Sequence, residues 1–391
     1  MTPKGFLFST AEAAIKYPGR KDLALIYSNN EAVIAAAFTT NKVKAAPVKL
    51  DIKKAASGKG QAIIVNSGNA NACTGKQGLK DASLTADMVA SELRINPELV
   101  YVCSTGVIGT PMPMERIRTR IPELIDNLGI SSMKDVARAI MTTDTFPKIV
   151  HKKVKVGSRT GCVAGICKGA GMICPNMATM LCFILTDIAV EHKTLGRILV
   201  EAVRQSFNRI TVDGDMSTND TVIVMANGTT GNRPITGKSE AYQQFRKSVH
   251  DITYELSKMI VKDGEGASKL IAIEVKGARN EKDAGTAAFA VANSNLVKTA
   301  VYGNDPNWGR ILAALGYSGA TVKEENIDVF FGKLKVVNRG VTTGSDEEAA
   351  GIMKEKELKI TINLNLGKAS FNVLTCDLTE EYVKENATYK T

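Results

Sequence analysis

The run KGAGMICPNMAT, residues 168–179, places a threonine at the end of a Gly-rich segment and directly before a short apolar stretch. Residues 180–185 are continuous and apolar and Asp187 closes them, so we expect a buried strand with Thr179 at its first position. If the bond between Ala178 and Thr179 were cleaved, Thr179 would carry a free α-amine beside its hydroxyl. An α-amine of pKa about 7.7–8 is partly neutral at cell pH and can act as the base for the adjacent Oγ. This pattern fits a self-activating nucleophile, although by spacing alone an ordinary turn before a core strand is the more common explanation.

Histidine, the usual general base, is scarce in this chain. The three histidines, His151, His192 and His250, lie in a basic strand, a polar turn and a helix rather than in Gly-rich segments. A Ser-His-Asp arrangement therefore has little to build on in the sequence. The scarcity of histidine favours an amine as the catalytic base.

Acyl transfer also needs hydrogen-bond donors for the oxygen that becomes negatively charged. An apolar run at 99–103 predicts a strand that delivers Thr105 and Gly106, which offer a hydroxyl and an unobstructed backbone N–H. Such donors form oxyanion holes. A plain strand–loop turn explains the same residues equally well.

The elements that must position these residues alternate between strands and helices along the chain. Apolar periodicity predicts strands near 62–65, 99–103, 149–156, 162–167, 180–185, 221–226, 270–275, 296–301, 328–337 and 358–365, with helices near 79–93, 193–207, 239–261, 283–293, 306–315 and 346–355. The motif Ser132-x-x-Asp135 predicts a capping box at the start of a further helix. No GxGxxG or GxxxxGK[ST] loop accompanies them, so periodicity alone gives a mixed α and β fold. A polar stretch at 277–281 predicts a junction between a main domain (1–280) and a smaller domain (281–391).

Composition excludes several classes of protein. The chain has 391 residues, 44% of them hydrophobic, and no apolar run approaches the roughly 18 residues of a membrane span. Seven cysteines without a CxxC pair predict reduced thiols in a cytoplasmic protein, with no metal site. The formal charge of +10 invites a nucleic-acid hypothesis, but the basic residues are spread out and only 5% of residues are aromatic. We therefore expect a basic solvated surface and neither a nucleic-acid nor a membrane partner.

Long motifs in a fixed order carry a resemblance to a known family. They are NSGNANACTG (66–75), CSTGVIG (103–109), TTDTFPK (142–148), KGAGMICPNMATML (168–181), SFNRITVDGDMSTNDT (206–221), KDGEGASK (262–269) and YGNDPNWGRILAALGYSG (302–319). Together they resemble the ornithine acetyltransferase family, also called glutamate N-acetyltransferase or the arginine-biosynthesis bifunctional protein. The blocks cover most of the chain from residue 66 onwards. Position 174 is Cys, where the family more often has His, but the family does not use that residue as nucleophile or base.

The resemblance implies an α/β/β/α sandwich with a smaller C-terminal domain. It implies self-cleavage into residues 1–178 and 179–391, which pair into a heterotetramer, and it makes Thr179 the nucleophile. It assigns the oxyanion hole to Thr105 and Gly106. The substrate-binding positions that it implies are Thr142 (the adjacent Thr143 stays an alternative), Lys168, Thr179, Glu265, Asn386 and Thr391. Of these, Lys168 could pair with a carboxylate and Glu265 with an ammonium group, and the last two positions require the C-terminal tail to dock.

The implied activity is a ping-pong acetyl transfer from N-acetylornithine to glutamate in arginine biosynthesis, through an acetyl ester of Thr179. No cofactor is expected, and the sequence leaves open whether acetyl-CoA also serves as acetyl donor. An amidase or aminopeptidase of the same fold, in which water replaces glutamate, is the alternative within the same chemistry. A non-catalytic nucleic-acid-binding protein is the alternative from another class.

Overall fold

The computed structural model describes residues 1–174, 180–237 and 239–388. Its first part contains β1 (Phe6–Ala11), β2 (Leu23–Phe38), α1 (Ala46–Ala55), β3 (Lys59–Asn69), α2 (Gly75–Leu93), β4 (Val100–Val107), α3 (Met114–Asp126), α4 (Met133–Ala139), β5 (Lys148–Val156), β6 (Arg159–Lys168), β7 (Leu181–Thr186), α5 (His192–Gln205), β8 (Thr221–Ala226) and α6 (Glu240–Lys262). Its second part contains β9 (Leu270–Ala278), α7 (Glu281–Ala292), α8 (Asn295–Tyr302), α9 (Trp308–Tyr317), β10 (Asp328–Phe331), β11 (Leu334–Asn338), β12 (Val341–Thr342), α10 (Asp346–Met353), β13 (Glu357–Asn363), β14 (Ala369–Cys376) and α11 (Glu380–Thr388). The mixed α and β composition is confirmed. No helix within these described ranges combines the length and apolar character that crossing a membrane requires.

The strands of the first part form one sheet in the order β4-β3-β2-β8-β7-β6-β5, with β1 paired to β2. Its inner core takes side chains from β1–β4 and from β6–β8, and most of its helical side chains come from the short helix α4. Since one short helix cannot cover a whole sheet face, the two halves of the sheet pack on each other. The outer faces pack against α2 and α3 on one side and against α5 and α6 on the other. These layers are the expected α/β/β/α sandwich.

The strands of the second part form a separate sheet in the order β12-β11-β10-β13-β9-β14. Strand β9 is hydrogen-bonded between β13 and β14. The sequence placed this strand with residues 1–280, but its buried side chains Ile271, Ile273 and Val275 pack in the core of the second sheet against α7 and α9. The division into domains at 280/281 stays a prediction. Strand β9 precedes this boundary in sequence but belongs to the sheet of the C-terminal part.

Residues 296–301, which we expected to form a strand, lie in helix α8. Ser294 caps this helix by accepting the N–H of Val297 at 3.4 Å, and the buried Val297, Ala300 and Val301 have the i, i+3, i+4 spacing of a helix. Buried Lys298 donates to the carbonyl oxygens of Val212 and Cys376. The expectation was wrong because the β-branched residues of this short run favoured a strand, whereas packing chose the helix. By contrast, the capping box of Ser132 and Asp135 is confirmed.

Candidate active site

Strand β4 ends with the two residues predicted as oxyanion donors. Thr105 is buried, and Gly106 pairs with Gly68 of the parallel strand β3. A Cβ atom on Gly106 would lie 2.3 Å from the carbonyl carbon of Gly68, and the φ angle of Gly106 is +135°. Only glycine fits this combination of close approach and backbone conformation. The sequence predicted these residues just after the strand. In the structure they belong to the strand, within the last three residues of β4.

Asn219 holds the end of β4 in place from the loop that precedes β8. Its Nδ2 donates to the carbonyl oxygen of Ser104 at 2.8 Å and to that of Ala70 at 2.7 Å. The Ser104 carbonyl belongs to the peptide that carries the N–H of Thr105, so this contact fixes the orientation of that peptide. Sequence reasoning did not single out Asn219, although it lies inside the motif STNDT (217–221).

Lys168, the last residue of β6, connects the candidate oxyanion donor Thr105 with the candidate substrate-binding residue Thr142. Its Nζ donates to Oγ1 of Thr142 at 2.7 Å and to Oγ1 of Thr105 at 3.2 Å. The Lys168 side chain is almost completely buried, and burial lowers the pKa of its ammonium group although Asp144 opposes that shift. Both Thr142 and Thr143 border the adjoining pocket, but the hydroxyl of Thr142 is the one that contacts Lys168.

Asp144 anchors this arrangement from beneath. Its carboxylate accepts hydrogen bonds from the N–H of Gly169 at 2.7 Å and from Nζ of Lys148 at 2.6 Å, and it lies 3.9 Å from Nζ of Lys168. Burial alone would raise the pKa of Asp144, but Lys168, Lys148 and the Gly169 N–H together lower it to about 2. Lys148 also pairs with buried Asp263 at the end of α6. The aspartate was missed in the sequence although it lies in the motif TTDTFPK.

Glu265 also lines the pocket and is held by the C-terminal helix. Nδ2 of Asn386, on α11, lies 2.9 Å from Oε2 of Glu265. A Cβ atom on Gly171 would lie 2.3 Å from the same carboxylate, so a larger residue at that position would displace the Glu265 side chain. The expected docking of the tail is therefore present as far as residue 388.

The pocket that these side chains surround has a cavity volume of about 80 Å³. Six of the predicted site residues line it together: Thr105, Gly106, Thr142, Lys168, Glu265 and Asn386. Within the described residues, none of the three histidines lines this pocket, and no group of three or more His, Cys, Asp or Glu residues could hold a metal ion. A lining that combines a cation, a carboxylate and hydroxyl groups suits a small molecule with charges of both signs. The roles of these residues in binding and catalysis stay predictions.

Ala178, Thr179 and Thr391 lie outside the described residues. The chain on either side of residues 175–179 is hydrogen-bonded to two carboxylates, half-buried Asp213 and fully buried Asp220. Asp213 accepts the N–H groups of Met172 at 2.6 Å and Ile173 at 2.9 Å, and Asp220 accepts the N–H of Met180 at 3.0 Å. Burial raises the pKa of Asp213 to about 6.

Comparison with known proteins identifies close relatives over the full length. A profile of the ArgJ family matches residues 7–391. The chain is 53% identical over 393 residues to the arginine biosynthesis bifunctional protein ArgJ of Geobacter sulfurreducens, covering 100% of both chains. It is 49% identical over 394 residues to that of Caldanaerobacter subterraneus, covering 100% of this chain and 98% of the relative.

A solved structure is also similar. The crystal structure of arginine biosynthesis bifunctional protein ArgJ from Bacillus halodurans matches with 44% identity and a TM-score of 0.51. The match covers 53% of this chain but 98% of the solved chain. The solved chain is therefore only about half as long as this one.

Proposed function

The chain belongs to the ArgJ family, and we propose that it cleaves itself before Thr179 and moves the acetyl group of N-acetylornithine to glutamate through an acetyl ester of Thr179. It is a glutamate N-acetyltransferase of arginine biosynthesis. The observation that carries the finer proposal is the position of Lys168, whose Nζ contacts the hydroxyls of Thr105 and Thr142 in a pocket that Glu265 closes. N-acetylornithine carries one carboxylate and one ammonium group. The ammonium group of Lys168 and the carboxylate of Glu265, which line the same pocket, match that pair of charges.

The first half-reaction forms a bond between Oγ of Thr179 and the acetyl carbon of N-acetylornithine. The α-amine of Thr179 takes the hydroxyl proton and passes it to the nitrogen of ornithine as the C–N bond breaks. Since Thr105 Oγ1 accepts a hydrogen bond from Lys168, its own proton is available for the oxyanion. Thr105 and the N–H of Gly106 thus provide two donors, each worth about 10²–10³ in rate at such a site.

The second half-reaction returns the acetyl group to an amine. The α-amine of glutamate attacks the ester of Thr179, and the Oγ–acetyl bond breaks with return of a proton to Oγ. Donor and product are both α-N-acetyl amides, so the exchange is close to isoenergetic and needs no cofactor. The task of the protein is to keep water away from the ester. We propose acetyl-CoA as a second donor, in line with the word bifunctional in the names of the relatives.

The proposed cleavage between Ala178 and Thr179 would divide the chain into 1–178 and 179–391. The half-length solved chain of the Bacillus halodurans protein supports this division. We further propose that the two fragments assemble as a heterotetramer in the cytoplasm. The seven cysteines, all free thiols in the structure, support a reducing compartment.

One assay tests the proposal against the amidase alternative. Purified enzyme receives N-acetylornithine with and without glutamate, and acetylglutamate and free acetate are both measured. We expect acetylglutamate to form much faster than acetate when glutamate is present. Acetate as the main product would favour the amidase and overturn the transferase mechanism. Replacing N-acetylornithine with acetyl-CoA in the same assay tests the second donor.

A further inference from the structure

One buried carboxylate, that of Asp144, contacts Lys168 and its neighbours at three points. Its Oδ1 accepts the N–H of Gly169, the residue after Lys168, at 2.7 Å. Its Oδ2 lies 3.9 Å from the ammonium nitrogen of Lys168. The same oxygen accepts the N–H of Thr142 at 3.1 Å, and the hydroxyl of Thr142 accepts a hydrogen bond from Lys168 at 2.7 Å. Asp144 therefore positions the backbone, the charge and one hydrogen-bond partner of Lys168.

The charge of Lys168 depends on its surroundings, because its side chain is almost completely buried. Burial disfavours the ammonium form and lowers its pKa. Of the neighbouring groups, Asp144 opposes this lowering of the pKa most strongly, with smaller support from Glu265 and Asp220, whereas the positive charge of Lys148 adds to it. Without the Asp144 carboxylate, Lys168 would lose its proton at a lower pH.

The protonation state of Lys168 decides the direction of its hydrogen bond to Thr105. Nζ of Lys168 lies 3.2 Å from Oγ1 of Thr105. An ammonium group has three donors and no acceptor, so Thr105 must accept this bond and its own proton remains available. A neutral amine has a lone pair and can accept that proton instead. A neutral Lys168 would therefore take the hydroxyl donor of Thr105 away from the oxyanion.

We propose that Asp144 is a positioning residue for acetyl transfer: it keeps Lys168 charged and directed at Thr105, so that the hydroxyl of Thr105 donates to the oxyanion. The inference rests on the proposed function and deepens it. In that mechanism the α-amine of Thr179 must be neutral to act as a base, whereas the amine of Lys168 must be charged. Asp144 supplies the negative charge that keeps the second amine protonated at a pH where the first is neutral.

The test compares the pH dependence of kcat in wild type, Asp144→Asn and Asp187→Asn, each expressed as the full chain. Asp187 is a matched control. It is also buried and accepts the N–H of Cys162 at 2.7 Å near the start of β6, whereas Asp144 accepts an N–H just beyond the end of that strand.

Wild-type kcat should rise with pH as the α-amine becomes neutral, and fall at higher pH as Lys168 loses its proton. In Asp144→Asn the alkaline fall should begin lower by at least about one pH unit, because an opposite charge close to the ammonium group is gone. Asp187→Asn should destabilise the protein but keep the wild-type pH profile.

A second comparison tests the route through Thr105. Where wild type is still fully active but Asp144→Asn has passed its alkaline fall, the variant should lose about 10²–10³ in kcat, the value of one oxyanion donor. In a Thr105→Val background that donor is already absent, so the same substitution should cost less than about tenfold. Asp144→Ser, a smaller neutral replacement, should reproduce both results.

Other results would overturn the role of Asp144. A neutral variant whose kcat falls equally at every pH would do so, because that is the effect of a purely structural residue. Fully additive losses in Asp144→Asn and Thr105→Val would do so as well, since the two side chains would then act independently. Wild-type enzyme is assayed first, and absence of acetyl transfer there would count against the proposed function instead.

Discussion

Nδ2 of Asn386 lies 2.9 Å from Oε2 of Glu265, so the last helix of the chain, α11, is attached directly to the wall of the pocket. A second contact fixes the start of α11, since Oγ1 of Thr379 donates to the carbonyl oxygen of Gly266 at 2.7 Å. Chain ends usually fray unless they are tied down. These two contacts tie this end to the segment that carries Glu265.

Asn386→Ala should weaken substrate binding with little effect on folding. Loss of the amide leaves Glu265 free to rotate away from the bound ammonium group. We expect KM for N-acetylornithine to rise by about 3- to 10-fold, the value of one partly exposed hydrogen bond to a charged group. Val383→Ala, an exposed position on the same helix, is the control and should keep the wild-type KM. An unchanged KM in Asn386→Ala would show that α11 does not contribute to substrate binding.

Residues within one motif could be predicted to act together from the sequence. Thr105 and Gly106 are adjacent, and the strand before them is apolar over its whole length, so their position at a strand end followed from the local pattern. In long periodic segments such as α6, the predicted ends of the helix were close to the observed ends, because the local pattern extends over many residues. Short segments were harder: α8 was expected as a strand because six residues do not distinguish the two periods.

Contacts between motifs could not be predicted from the sequence. The bond from Asn219 to Ser104 joins positions 115 residues apart, and the pairing of Lys168 with Asp144 depends on how β6 packs beside the segment before β5. Polar residues such as Asp220 are indistinguishable in sequence from surface aspartates. Only the sheet order, which places β8 beside β7, shows that Asp220 contacts the chain next to the cleavage site.

Gly106→Ala should destabilise the protein far more than Gly109→Ala. Both glycines have positive φ angles, +135° and +81°, but a Cβ at Gly106 would meet the backbone of β3 whereas nothing lies within 4 Å at Gly109. We expect a loss in the free energy of unfolding of about 1 kcal/mol for Gly109→Ala and about 2–5 kcal/mol for Gly106→Ala. Urea unfolding measures both. Equal losses would mean that β4 shifts easily at this point.

The stabilising effect of Asp144 should disappear in acid. Its pKa of about 2 in the folded protein lies below the value of about 3.9 for an unfolded aspartate. The ionised form is therefore favoured by folding, and its contribution is complete above about pH 4 and lost as the pH falls towards 2. The advantage of wild type over Asp144→Asn in the free energy of unfolding should shrink by about 2 kcal/mol over that range. Urea unfolding of both proteins at several pH values measures this; a constant difference would contradict it.

Thr105→Val should separate acetyl transfer from self-cleavage. Valine keeps the shape of the side chain but removes the hydroxyl that Lys168 contacts and that we assign to the oxyanion. If this hydroxyl serves only acetyl transfer, cleavage should persist while kcat falls by about 10²–10³. Thr85→Val is the control, because Thr85 is equally buried but does not line the pocket; its Oγ1 donates to the carbonyl oxygen of Asp81 at 2.8 Å and contacts Sδ of Met114 at 4.0 Å. An uncleaved Thr105→Val chain would show that both reactions share the oxyanion hole.

Substitutions of Thr179 should affect cleavage and transfer together. In the proposed mechanism its hydroxyl first attacks the carbonyl of Ala178, an N→O acyl shift, and later attacks the acetyl group of the substrate. Thr179→Ala lacks the hydroxyl and should remain uncleaved and inactive. Thr179→Ser keeps the hydroxyl but loses the methyl group that restricts χ1, so it should still be cleaved, though more slowly. Intact-mass measurement and the acetylglutamate assay follow both reactions, and an uncleaved Thr179→Ala protein with near-normal acetyl transfer would refute the mechanism.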